Sequence, residues 1–354
     1  MNMQIEWLKE ALRGVYRPEE YPALAEQMRE WRAAKPLSGR RIFDATPVFR
    51  NTMVKYIALL EGGAELTVGY GRGIPYDERV VETLRECGVA VADEAALGRT
   101  YDVVLDCAGA NADVKAQYGY VELTRSGMYR YCDCAQPVFL ADDGRIKEIE
   151  TALGTGDGFR RGMARFGYGD FSGKRIVVFG CGKVGSGIVM YASLGGAQVT
   201  VVDDVRKVVP PFGASIVDLG DRAGIETALK EAWCVVCATG IRGALSGKFD
   251  PAILTDGNAI VANMGVEDEF GPEIPAERVL NAKEPLNFVL EEPTHLKYID
   301  PTMALDNCGA LEVLGGGLAP GLNRPSPELE ERILDTVRRS GVVAPELGFL
   351  EKNR

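Results

Sequence analysis

The sequence is 354 residues long, 46% hydrophobic and 26% charged, with a formal net charge of −11. That length suits two α/β domains at roughly 150 residues each, and the composition excludes a disordered or fibrous chain. The acidic balance excludes nucleic acid as a partner, because phosphate-backbone binding rests on clustered Lys and Arg. The opening stretch MNMQIEWLKEALRGVYRPEE mixes apolar and charged residues and holds no run long enough for a signal peptide or a span. No membrane partner is therefore expected, and the cytoplasm is the expected compartment. Eight cysteines without a secretory signal read as reduced thiols. With His295 the single histidine, no zinc ligand set is complete and no metal is expected.

In chain order, residues 22–36 form an amphipathic helix ended by Pro36, and a strand begins near Arg40. The runs RRIF, AELTVGY, VAVADE and DVVLDCAG then read as strands, separated by the helical segments FRNTMVKYIALLEGG and DERVVETLRECG. A less regular stretch from Tyr118 to Asp143 leads to a helix from about Arg145 to Phe166, expected to bridge two domains. A second alternation starts at Gly173 with RIVVFG, AQVTVVDD, SIVDLG, CVVCATG and AIVANMG as strands. Cys234 and Cys237 lie in one of these apolar runs and read as buried. LNFVLEEPTHLKYID, residues 286–300, reads as a hairpin turned at Pro293 and Thr294. The glycine-rich LGGGLAPG, residues 314–321, suits a return crossing between domains, after which PELEERILDTVRRSG docks on the first. The predicted fold is α/β, with two Rossmann-like domains, an interdomain cleft, and a doubly wound parallel sheet in the second domain. Residues 1–152, completed by 318–354, form the predicted substrate domain, and residues 153–317 the predicted dinucleotide-binding domain.

The most informative stretch is RIVVFGCGKVGSGIVMYASLGGAQVTVVDD. Gly180, Gly182 and Gly185 follow an apolar strand and open a helix, which is the context a dinucleotide fingerprint requires. Gly180 permits the tight turn, Gly182 lets backbone approach a pyrophosphate, and Gly185 allows close helix packing. Lys183 and Val184 begin the helix whose unpaired N–H groups and partial positive charge face the phosphates. Asp203 ends the next strand, about 20 residues on, where a carboxylate accepts hydrogen bonds from the adenine ribose. The expected cofactor is NAD. Arg206 and Lys207 could instead meet the 2′-phosphate of NADP, but Asp203 would repel that group.

The sequence here resembles the S-adenosylhomocysteine hydrolase family. PALAEQMREWRAAKPLSGRRIF is similar to the family's opening helix and first strand, and ALLEGGAEL to a helix ending in a leucine-glycine-alanine-glutamate turn. FSGKRIVVFGCGKVGSG is similar to its NAD loop, and TDGNAIVANMG to its strand before the nicotinamide. The resemblance implies a tightly held NAD+ that oxidises a nucleoside 3′-hydroxyl, permits elimination and water addition, and then reduces the ketone back. It also implies that Thr124 and Asn307 lie against the cofactor, and that the family's lysine and aspartate pair falls around Lys147 and Glu150. The family's two histidines fall on Pro47 and Val266, and its C-terminal Lys/Tyr tail has no counterpart in GFLEKNR.

The candidate catalytic residues are Lys147, Glu150 and Asp106. Lys147 and Glu150, at i and i+3, would share a helix face toward the interdomain cleft, the alternative being a solvated ion pair. Asp106 ends an apolar strand at the carboxyl edge where open α/β sheets bind ligands, the alternative being a helix N-cap. Cys107, Cys132 and Cys134 are nucleophiles only beside cations that lower their pKa, and packing is the alternative. Desolvation in a closed cleft would bring Lys147 toward neutrality as a proton shuttle. The expected function is NAD-dependent oxidoreduction of a small polar hydroxyl or carbonyl compound other than adenosylhomocysteine. Family-type hydrolysis with internally recycled NAD+, and a non-catalytic NAD-binding regulator, are the alternatives. The expected assembly is a homodimer or homotetramer.

Overall fold

The computed structural model describes residues 3–352. The chain divides into two compact units, Met1–Ile149 with Leu296–Pro345 and Glu150–His295 with Glu346–Arg354.

The first unit is built on a seven-stranded, all-parallel sheet. In chain order its strands are β1 (Arg41–Asp44), β2 (Glu65–Val68), β3 (Ala90–Val91), β4 (Thr100–Asp106), β5 (Lys115–Glu122) and β6 (Pro137–Leu140), with Gly321–Asn323 added at one edge. The spatial order runs from that edge strand through β6, β5, β4, β1, β2 to β3. Strand order thus reverses between β1 and β4, the doubly wound arrangement. The near-continuous apolar run of β4, buried from Tyr101 to Asp106, suits a strand covered on both faces. Asp77 caps the helix Glu78–Glu86 by accepting from the Arg79 N–H.

The second unit carries β7 (Arg175–Phe179), β8 (Gln198–Asp203), β9 (Ser215–Asp218), β10 (Cys234–Cys237) and β11 (Ile260–Asn263) in a five-stranded parallel sheet. Their order is β11-β10-β7-β8-β9, again reversing beside the first strand. Ile176 and Val178 face one core with Ile188, Val201 and Val236, while Val177 and Phe179 face the other with Ile225 and Leu254. The helices Thr155–Arg165 and Lys183–Leu194 approach closely at Gly156 and Gly187, where any Cβ would meet facing backbone.

Four expectations need correction. Residues 286–300 form no hairpin: a 3₁₀ turn, Leu286–Val289, precedes a helix, Leu296–Leu314. Leu296, Tyr298, Asp300, Met303 and Ala304 are all buried, so what read as a polar-flanked turn is the start of a core helix. That helix belongs to the first unit, which moves the boundary from 317/318 to 295/296 and the first boundary from 152/153 to 149/150. Residues 314–321 consequently cross between no domains; they join this helix to its own sheet's edge strand. The stretch expected to be irregular, 118–143, contributes β6 and most of β5. The helix Pro327–Ser340, capped by Ser326, lies in the first unit. No helix among the described residues is long and apolar enough to cross a membrane.

Candidate functional site

The reversal of strand order beside β7 opens a crevice at the carboxyl edge of the second unit's sheet. Gly180 turns there with φ +87°, and a Cβ on it would lie 2.6 Å from the Ala238 carbonyl oxygen. Gly185 meets the Gly180 carbonyl so closely that only a glycine fits. A Cβ built on Gly182, the N-cap of the helix Lys183–Leu194, would meet nothing within 4 Å. That open backbone before a helix N-terminus fits a pyrophosphate. Lys183 and Val184 form the first helical positions, Lys183 exposed and Val184 half-buried. Asp203 folds back over the turn, accepting 2.7 Å hydrogen bonds from the Cys181 and Asp204 backbone N–H groups. Each carboxylate oxygen keeps a lone pair for a ribose hydroxyl. Arg206 and Lys207 are engaged by Asp204, at 2.8 and 3.5 Å. The residues present therefore fit a dinucleotide.

The corresponding edge of the first unit's sheet is chemically different. Asp44 at the end of β1 binds Lys55 Nζ, which also lies 2.9 Å from Thr46 Oγ1 and 2.9 Å from Asp306 Oδ2. All three charged groups are fully buried. Burial alone would lower the Lys55 pKa, but Asp306 and Asp44 outweigh it and raise it. Burial pushes Asp306 up to about 6 against the attraction of Lys55. Asp106, ending β4, accepts from the Tyr131 hydroxyl at 2.7 Å, from the Cys107 and Asn111 N–H groups and from the Asn111 side chain. Burial nevertheless holds its pKa above the usual value.

Glu122, paired with Asp106 across β4 and β5, accepts from the N–H groups of Ala108, Gly109 and Thr124 and from Thr124 Oγ1. Burial, opposed by Thr124 and reinforced by Asp106, pushes it up to about 7. Lys147, only 3% exposed, donates to the Leu123 carbonyl at 3.1 Å, just beyond β5. The edge thus gathers a buried ammonium and carboxylates able to hold or release a proton near neutral pH.

Asp106, Thr124 and Lys147 are brought together at this edge. Asp106 caps no helix; it staples the turn 107–111. Glu150 lies in a π-helical turn, Ile149–Gly154, that opens the second unit, so α-helical i, i+3 spacing does not relate it to Lys147. Asn307 is fully buried in the first unit, its amide donating to Gln27 Oε1 at 2.8 Å and serving the packing of two helices. Cys107 is buried, Cys134 half-buried and Cys132 exposed, and no cysteine is in a disulfide. His295, 43% exposed at its side chain, lies 3.3 Å from Asp157, which also binds Arg160 and Arg161.

The sequence reading missed Lys55, Asp44 and Asp306. The available signal was a lysine inside the otherwise apolar run TMVKYIALL, but its partners lie on other elements. Glu122 stands where the resemblance places the family's catalytic glutamate, at Glu122 or Leu123.

A family model described as "Putative NAD(P)-binding" matches residues 168–246. Adenosylhomocysteinase of Thermoplasma acidophilum is 25% identical over 350 residues, spanning 89% of this chain and 81% of that protein. Adenosylhomocysteinase of Thermotoga maritima is 28% identical over 310 residues, 79% of this chain and 72% of that protein. The matched segment contains the glycine turn, Asp203 and β10, so NAD, expected from the fingerprint, is the cofactor of the second unit. The chain is thus similar to adenosylhomocysteinases over most of its length and carries an NAD-binding Rossmann domain.

Proposed function

We propose that the protein is an NAD-dependent oxidoreductase whose substrate is a small polar hydroxyl or carbonyl compound other than adenosylhomocysteine, held at the carboxyl edge of the first unit's sheet. The observation supporting this reading is a loss of proton-handling chemistry. Pro47 and Val266 stand where the resemblance expects imidazoles, and neither exchanges a proton, whereas Lys147, Glu122 and Asp106 converge just beyond β4 and β5. Asp203 favours NAD, since its charge opposes a 2′-phosphate while Asp204 occupies Arg206 and Lys207.

Bound NAD supplies the hydride acceptor and donor. Lys147 takes the substrate hydroxyl proton in oxidation and returns it in reduction, its Nζ oriented by the Leu123 carbonyl. Asp106, fixed by Tyr131 and Asn111, orients a substrate hydroxyl. Glu122 stores a proton near neutral pH while shaping the turn at Ala108 and Gly109.

The alternative, hydrolysis with internally recycled NAD+, is favoured by the extent of the likeness to adenosylhomocysteinases. Incubating NAD-loaded protein with adenosylhomocysteine while following free thiol and adenosine separates the two. The expected result is no catalytic release. Turnover of both products, abolished by Lys147→Met, would overturn the proposal in favour of the hydrolase.

A further inference from the structure

The turn after β10, Ala238 to Gly240, forms the second wall of the dinucleotide crevice. It flanks the point where strand order reverses, and its Ala238 carbonyl and Thr239 Cα lie 2.6 and 2.9 Å from where a Cβ on Gly180 would be. Glycine at 180 is what allows this contact. The turn itself is held by one side chain from beyond β11. Glu269 is fully buried and accepts from the Thr239 N–H at 2.7 Å, Thr239 Oγ1 at 2.8 Å, the Gly240 N–H at 2.7 Å and the Cys237 thiol at 2.7 Å.

The support of Glu269 is itself fixed. A Cβ at Gly265 would strike Glu269 Oε1, so that glycine makes room for the carboxylate. Asn263 donates to the carbonyls of Gly265, Glu267 and Lys283, and Lys283 Nζ binds Asp268 at 2.7 Å, closing the segment on both sides of Glu269. The Leu245 N–H donates to the Glu269 carbonyl, tying the far end of the β10 loop to the same residue.

We propose that Glu269 is a positioning residue for the cofactor, holding the turn 238–240 so that it presents a fixed wall to the nicotinamide half of NAD. The proposal rests on the NAD reading of this unit. Asp203 on β8 takes the adenine ribose and the helix after β7 takes the pyrophosphate, so the remaining half extends toward β10 and β11. Glu269 therefore governs one half of the ligand and leaves the other alone. Its four donors suit an ionised carboxylate; an amide in its place would turn an NH2 group toward N–H groups that already donate.

The test is titration of the full chain with NAD and, separately, with AMP, which carries only the adenosine phosphate half. Glu269→Gln is expected to weaken NAD about tenfold or more while AMP stays within about twofold, the loss of a charge-assisted hydrogen bond being of that size. Thr239→Ala, which removes the hydroxyl's bond to Glu269 and the one it accepts from the Ile241 N–H, is expected to shift the NAD-to-AMP ratio in the same direction and less. Unchanged NAD binding by folded Glu269→Gln, or NAD and AMP weakening in equal proportion, would overturn the proposal. Should Glu269→Gln fail to fold, Thr239→Ala decides: a changed ratio supports the positioning role and an unchanged one removes it. Wild-type protein that binds neither ligand would instead remove the NAD reading.

Discussion

The carboxyl edges of the two sheets share one topology and use opposite chemistry. In the second unit the surface offered to the ligand is mostly backbone, an open Gly182 and a helix N-terminus beside the half-buried carboxylate of Asp203, with the buried Glu269 standing behind the turn 238–240. In the first unit it is made of buried side chains, with Asp44, Lys55, Asp306, Asp106, Glu122 and Lys147 all nearly or fully removed from solvent. Backbone N–H groups bind an anion without storing charge in the fold. Buried charges must compensate one another, so the first edge couples whatever chemistry it performs to stability. A strand-order reversal therefore specifies where a ligand goes and leaves the means of holding it open.

Lys55→Met strikes the edge built from side chains hardest. It leaves Asp44 and Asp306 buried without their shared cation, and breaking such a pair costs about 3–5 kcal/mol. Urea unfolding should show a loss of that order. A change under about 1 kcal/mol would mean the cluster contributes no more than an exposed ion pair.

Gly182→Ala probes the other edge and should separate binding from stability. Its φ of −72° suits alanine and its Cβ meets nothing, so unfolding free energy should stay within about 0.5 kcal/mol. NAD affinity should fall on the order of tenfold as the methyl group intrudes on the pyrophosphate. Equal losses in both measurements would erase the contrast drawn between the edges.

Asp157→Asn sharpens the comparison by adding a charge cluster in the second unit. Burial would raise the Asp157 pKa, but His295, Arg160 and Arg161 together hold it well below the usual carboxylate value. Its stabilisation is complete above the unfolded-state value of about 3.9 and is lost as pH falls toward the depressed folded value. The variant should be less stable by roughly 1–3 kcal/mol at pH 7, with a gap that narrows below about pH 4. A gap independent of pH would make the role one of packing. The mildest change is Asp204→Ala, which frees Arg206 and Lys207. NADP binding should improve about threefold relative to NAD, of the order of one exposed ion pair. No change in the ratio would leave Asp203 as the whole of the selectivity.

Sequence alone was enough for the second unit's strands, its glycine turn and Asp203. Each of these depends on neighbours within one βαβ segment: an apolar run, a tight turn that needs glycine, and a carboxylate one strand later. The alternation of strands and helices in the first unit was legible for the same reason. Only the tertiary structure assigned the helix Leu296–Leu314 to the first unit, since its turn-like opening becomes helical through burial against a sheet made almost 200 residues earlier in the chain. It likewise joined Lys55 to Asp306 and Glu269 to Thr239, because a buried charge is tolerated or refused according to partners that come from distant segments.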